Sequence, residues 1–122
     1  MGLESHETTN SYRIEPDTEE AVRRFRSLIA GRFDLAGVIL YGSRARGTHQ
    51  PDSDADLAVL LRGERKRLLP TTWALADAAY EVLLETGVNI TPFPVWMDQW
   101  DHPETHSNPA LLRNIAREGV RL

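Results

Sequence analysis

Leu35-Ala36-Gly37-Val38-Ile39-Leu40-Tyr41 is an apolar run of strand length with no polar face, the pattern of a strand buried on both sides. It stops at Gly42-Ser43. A second run, Leu57-Ala58-Val59-Leu60-Leu61, is entered through Asp54 and Asp56. The polar link between them carries Gly47 and Pro51 as breakers and is too short for a full helical crossover, so an antiparallel pair is open to these strands. Any fold for this chain must bury both runs, and an antiparallel pair would bring the Gly-Ser turn and the acid pair to the same end of the sheet.

The flanking segments fit that core. Pro16-Asp17-Thr18-Glu19-Glu20 starts a helix, with acids in the first turn where the helix dipole favours them. Val22, Phe25, Leu28 and Ile29 then recur at helical spacing, and Gly31 ends the helix. Leu68 to Thr86 reads as a long helix closed by Gly87. Val88 to Trp96 reads as a third strand. Its Pro92 and Pro94 cannot donate ladder hydrogen bonds, which predicts an edge or short strand. Ser107-Asn108-Pro109 caps a last helix that Gly119 stops. The predicted order is α-β-turn-β-α-β-α: an α/β (α+β) domain with a small mixed β-sheet flanked by helices.

With 122 residues there is room for one core, predicted over residues 16–122 behind a disordered tail at 1–15. The absence of cysteine excludes disulfides, thiolate metal sites and cysteine nucleophiles, and fits a cytoplasmic location. No apolar run reaches the roughly 20 residues of a membrane span, and the first ten residues have no apolar signal core. A net charge of -4 argues against general nucleic-acid binding.

The segment Gly42 to Asp56 carries the chemistry. A glycine at the end of a buried strand lets a ligand approach the backbone. Ser43 adds a hydroxyl and an N–H, and Arg44 and Arg46 add positive charge. These are the parts of a triphosphate cradle, although a plain strand-to-helix turn with a serine cap has the same letters. Asp54 and Asp56 are two apart, hence on one face of a strand, while Ala55 and Leu57 point into the core. Two carboxylates side by side repel, and a divalent cation removes the conflict; magnesium takes a few carboxylate oxygens, water and phosphate oxygens. A solvated acidic turn is the alternative. The Walker-A glycine spacing of Gly42 and Gly47 fails because Thr48-His49 stand where Lys and Ser/Thr are required, and the calcium-loop spacing of Asp52, Asp54 and Asp56 fails at Leu57 and Gly63.

Gly42-Ser43-Arg44-Ala45-Arg46-Gly47 followed by Ser53-Asp54-Ala55-Asp56-Leu57-Ala58-Val59 resembles the signature of the DNA polymerase β-like nucleotidyltransferase superfamily, and more narrowly that of the prokaryotic minimal nucleotidyltransferases. The resemblance runs over residues 20–122, and Asn114-Ile115-Ala116-Arg117-Glu118-Gly119-Val120 is similar to the tail of that group. It implies the nucleotidyltransferase fold, Gly42 and Ser43 on the triphosphate of ATP or another nucleoside triphosphate, Asp54 and Asp56 on Mg2+ as the catalytic pair, and nucleotidyl transfer to a hydroxyl. It also implies an antitoxin-type role beside a helical RNase toxin of the nucleotide-binding type, which such proteins adenylylate. The superfamily places a third carboxylate on a later strand. Val88 to Val95 contains no acid, so alternation puts Asn89 or Thr91 in that slot, with Glu85, Asp98 and Asp101 able to substitute only if the chain bends back.

The remaining polar and aromatic residues carry plainer expectations. His6, His49, His102 and His106 are read as surface histidines, with His49 in a solvated loop beside the site. Trp96, Met97 and Trp100 are expected to pack under the last helix, and Arg62, Arg65, Lys66 and Arg67 to form a solvated helix start. Two rival functions share the same fold: a binding module that inhibits a toxin by steric contact, and a transferase acting on a small hydroxylated compound, for which no added substrate domain fits.

Overall fold

The computed structural model describes residues 14–65 and 67–122. Helix α1 spans Pro16–Ala30. Strand β1 (Leu35–Tyr41) follows, then a single helical turn, α2 (Ser43–Arg46). Strand β2 covers Ala55–Leu61, helix α3 Leu68–Thr86 and strand β3 Ile90–Trp96. The chain closes with α4 (Met97–Asp101), a 3-10 turn at Pro103–Thr105, α5 (Pro109–Glu118) and the two-residue strand β4 (Val120–Arg121).

The sheet order is β3-β2-β1-β4. β1 pairs antiparallel with both β2 and β4, whereas β2 and β3 run parallel, so the sheet is mixed as predicted. α3 supplies the crossover that a parallel neighbour requires. β3 lies at the edge, where Pro92 and Pro94 cost no ladder bonds on the open side.

Both faces of the sheet are covered. On one, Val38, Leu40, Leu57 and Val59 meet Val22, Phe25 and Ile29 of α1 and Leu75, Ala78 and Val82 of α3. On the other, Ile39, Ala58, Leu60 and Val95 meet Leu112 and Ile115 of α5. Met97 and Trp100 pack there, under the last helix as expected, but Trp96 points the other way into the α1–α3 core. A register shift between Leu35 and Gly37 sets β1 in this phase.

Of the tail expected at 1–15, residues 1–13 lie outside the described residues. Its last two belong to the fold: Ile14 is buried in the α1–α3 core, and Glu15 is the residue from which α1 starts. β4 and α4 had no signal strong enough to predict. Val120–Arg121 is too short for alternation to read, and it is a strand only because β1 lies beside it.

Candidate active site

The acid pair sits at the entrance of β2, on the sheet face that carries Ala58 and Leu60. Ala55 and Leu57 are buried in the opposite core, which locks the register. Asp54 is exposed and Asp56 half-buried. Two neighbours converge on Asp54: Asn89 donates from Nδ2 to Oδ1 at 3.0 Å, and Thr91 donates from Oγ1 to Oδ2 at 3.2 Å. Thr91 is also the register partner of Asp56 across the parallel ladder. Both residues predicted for the third slot therefore reach the pair. The backbone joins them too, since Ala55 N–H donates to Asn89 O at 2.8 Å.

The acids that might have substituted do not come near. Glu85 pairs with Arg24 on the α1–α3 side at 3.2 Å, and Asp98 lies 3.7 Å from Arg65. Among the described residues, no group of three or more His, Cys, Asp or Glu side chains could hold a metal ion.

Gly42 meets Asp56 from the other side. Its φ of 79° and ψ of -159° belong to a region that only glycine enters without strain. A Cβ there would stand 2.5 Å from Asp56 Oδ2. The glycine is thus required twice, by its own dihedrals and by the carboxylate packed on it. Ser43 opens α2 and is half-buried. The N–H groups of Ala45 and Arg46 bond back to Gly42 O at 3.1 and 3.2 Å, while those of Ser43 and Arg44 are the ones a helix's first turn leaves without an internal acceptor.

Arg44 corrects the sequence reading. Its side chain is 4% exposed. It donates to Thr18 Oγ1 at 2.8 Å, to Ser53 O at 2.8 Å and to Pro51 O at 3.1 Å. A guanidinium spent on three internal acceptors is not offered to a nucleotide. Arg44 instead ties α1 to the link that delivers Asp54. Arg46, by contrast, is exposed, and its charge acts on Asp56.

His49 is a second correction. Its side chain is 8% exposed rather than solvated, and Nε2 meets Glu15 Oε1 at 2.6 Å. Of the basic cluster, Arg62 pairs with Asp34 and Arg65 with Asp98, while Lys66 lies outside the described residues. His106 packs edge-on against Phe93 and accepts from Asn108 N–H.

The electrostatics mark Asp56. Burial first, then the Asp54 charge, push its carboxyl above the usual range, and Arg46 opposes them. Tyr41, the antiparallel register partner of Asp56, is pushed up to about 12 by burial and by the Asp56 charge. Tyr41 therefore adds a protonated phenol to the site. The sequence held one clue to it: the residue before Gly42, paired across an antiparallel link, must share a face with the second acid.

The donor set fits a magnesium ion that also touches substrate. Two carboxylates at one strand entrance, one of them held above its usual range by burial and then by the other's charge, gain from a cation between them. The remaining ligands of an oxygen-seeking ion would come from water and phosphate. The site is an open face rather than an enclosed cavity. A cleft of about 660 Å3 adjoins it through Arg46 and extends to Arg117 in the last turn of α5 and Arg121 of β4.

A protein of Methanocaldococcus jannaschii named "putative protein adenylyltransferase" is 40% identical over 62 residues, and the match spans 51% of this chain but only 42% of that relative's length. A crystal structure titled as a putative nucleotidyltransferase from Sulfolobus solfataricus superposes with a TM-score of 0.47 at 17% identity, over 88% of this chain and 86% of that one. The family model described as the nucleotidyltransferase domain matches residues 19–94, which hold Gly42, Ser43, Asp54, Asp56, Asn89 and Thr91. That span is more than half of the 122 residues, and the chain belongs to the nucleotidyltransferase domain family.

Proposed function

We propose that this chain transfers AMP from ATP to a hydroxyl group on a protein. The observation that carries the reading is the convergence of Asp54, Asp56 and Gly42 on one open face, with Thr91 and Asn89 bonded to the first acid. The acceptor hydroxyl oxygen attacks the α-phosphorus, the bond to the β-phosphate oxygen breaks, and pyrophosphate leaves. The hydroxyl proton passes to solvent or to a base supplied by the partner, because the third slot offers only neutral Asn89 and Thr91. Ser43 and the backbone at Gly42 would hold the β- and γ-phosphates, with exposed Arg46 as a cation beside them. Asp54 and Asp56 would hold Mg2+, which supplies charge neutralisation at the phosphate oxygens. Such transfer rests mainly on positioning and electrostatics, so a small domain suffices.

The protein acceptor is supported by the name of the 40%-identical relative. The family resemblance suggests a helical RNase toxin as that acceptor. A second reading has one observation behind it: the third slot holds neutral Asn89 and Thr91. A chain with weak catalysis would restrain the same partner by contact alone. The test is co-expression with the product of the adjacent reading frame, followed by intact-mass spectrometry with ATP and Mg2+. Added AMP on the partner is expected. A stable complex without added nucleotide would establish the steric reading instead.

A further inference from the structure

α3 is apolar on two opposite faces. Thr71, Leu75, Ala78, Ala79 and Val82 turn inward and are buried. On the other side Leu69, Trp73, Tyr80 and Leu84 are 62, 65, 61 and 68% exposed. Spacings of four, seven and four residues stack them in one stripe. A surface helix carries polar residues on its outer face; one that is apolar all round is normally buried. Scattered exposed leucines are ordinary, but this stripe presents roughly 570 Å2, at the top of the range for the largest patch of a typical monomer, and two copies joined through it would bury about 1,100 Å2, enough for a specific interface.

The stripe reads the same in both directions. From either end it runs leucine, aromatic, centre, aromatic, leucine, with Ala76 and Asp77 at the centre. A two-fold axis between those two residues lays Leu69 against the partner subunit's Leu84 and Trp73 against the partner subunit's Tyr80. That is the condition for an isologous contact, in which one patch complements itself. Ala76 keeps the crossing point small, so two helices can approach closely. We infer that this face is the interface of a homodimer, formed by antiparallel docking of α3 on a second copy of the chain.

Two consequences follow from the placement. α3 packs on the Val38–Val59 face of the sheet, whereas Asp54 and Asp56 lie on the opposite face. Docking through α3 therefore leaves both candidate active sites facing outward and open. The axis also brings the two Asp77 carboxylates to the same rim of the interface, where like charges oppose association.

Sedimentation equilibrium of the purified chain over a micromolar concentration series tests the inference. The wild-type chain is expected to reach twice the mass of one chain. Trp73→Glu and Tyr80→Glu should each weaken the dimer on the order of a hundredfold, because a charge replaces a central aromatic anchor. Both positions are exposed in the single chain, so circular dichroism should show an unchanged fold. Asp77→Asn should tighten the dimer several-fold. A wild-type chain that stays monomeric throughout overturns the inference, as does a dimer indifferent to both glutamate variants or weakened by Asp77→Asn. A monomer whose Trp73 fluorescence changes only with a different added protein would assign the stripe to that partner and overturn the homodimer.

Discussion

Asp56 lies where two opposing demands meet. It is packed against Gly42, half-removed from water, and within the field of Asp54, yet the proposed chemistry needs it ionised. Its carboxyl is raised in the folded chain relative to the unfolded one, so the stability this group contributes is present in acid and lost as pH rises through its folded value. Without metal, Asp56→Asn should therefore melt higher than wild type at neutral pH, and the gap should shrink as pH falls toward the ordinary carboxylate range. Differential scanning calorimetry of both proteins across that range, in chelator, checks the sign. A gap that widens in acid would mean that Asp56 is stabilised as the anion. Thr91 supports a companion prediction. Thr91→Asp puts a third carboxylate beside Asp54 and opposite Asp56, which should lower the melting temperature in chelator and raise it when Mg2+ is added. Nucleotidyl transfer should rise about tenfold in the same variant if the neutral slot limits the rate. Melting curves with and without Mg2+, and initial rates at fixed ATP, read the two effects separately.

At the scale of elements, the link between β1 and β2 is built rather than loose. Gly47 closes α2 in the left-handed region, Ser53 bonds back to Gln50, and Arg44 gathers Pro51, Ser53 and Thr18. Arg44→Ala would strand the buried Thr18 hydroxyl and leave two part-buried carbonyls without their donor, at a cost of about 2–3 kcal/mol. Chemical denaturation should register that loss, and Arg44→Lys should recover only part of it because an ammonium cannot replace the planar fork. By contrast, Arg46→Ala should leave stability nearly unchanged and weaken ATP binding, measured by titration calorimetry. This pair also marks the limit of what the sequence discloses. Strand and helix bounds were legible because Gly31, Gly42, Gly87 and Gly119 punctuate them, and the register of Asp54 and Asp56 followed from Ala55 and Leu57. Nothing local distinguishes Arg44 from Arg46, because the burial of Arg44 depends on Thr18, far away in sequence and on another helix. The same holds for Trp96, whose face is decided by the phase of β3 and not by its neighbours.

Across the whole molecule, the sheet divides the labour. One face is closed by α1 and α3 and supplies most of the core; the other is partly covered by α5 and leaves the strand entrance open for the acids. Among the described residues, no helix is long and apolar enough to cross a membrane. In the proposed function Asp54 and Asp56 act together in transfer of the α-phosphate with its nucleoside. The direct measurement uses ATP labelled at either the α- or the γ-phosphate, with Mg2+, the co-expressed partner and matched variants. For the proposed transfer, α-label is expected on the partner and γ-label in released pyrophosphate, with at least a roughly hundredfold loss in both Asp54→Asn and Asp56→Asn, as for disrupted metal and charge clamps. Label transferred from the γ-phosphate, or α-label transfer undiminished when both aspartates are replaced, would contradict it.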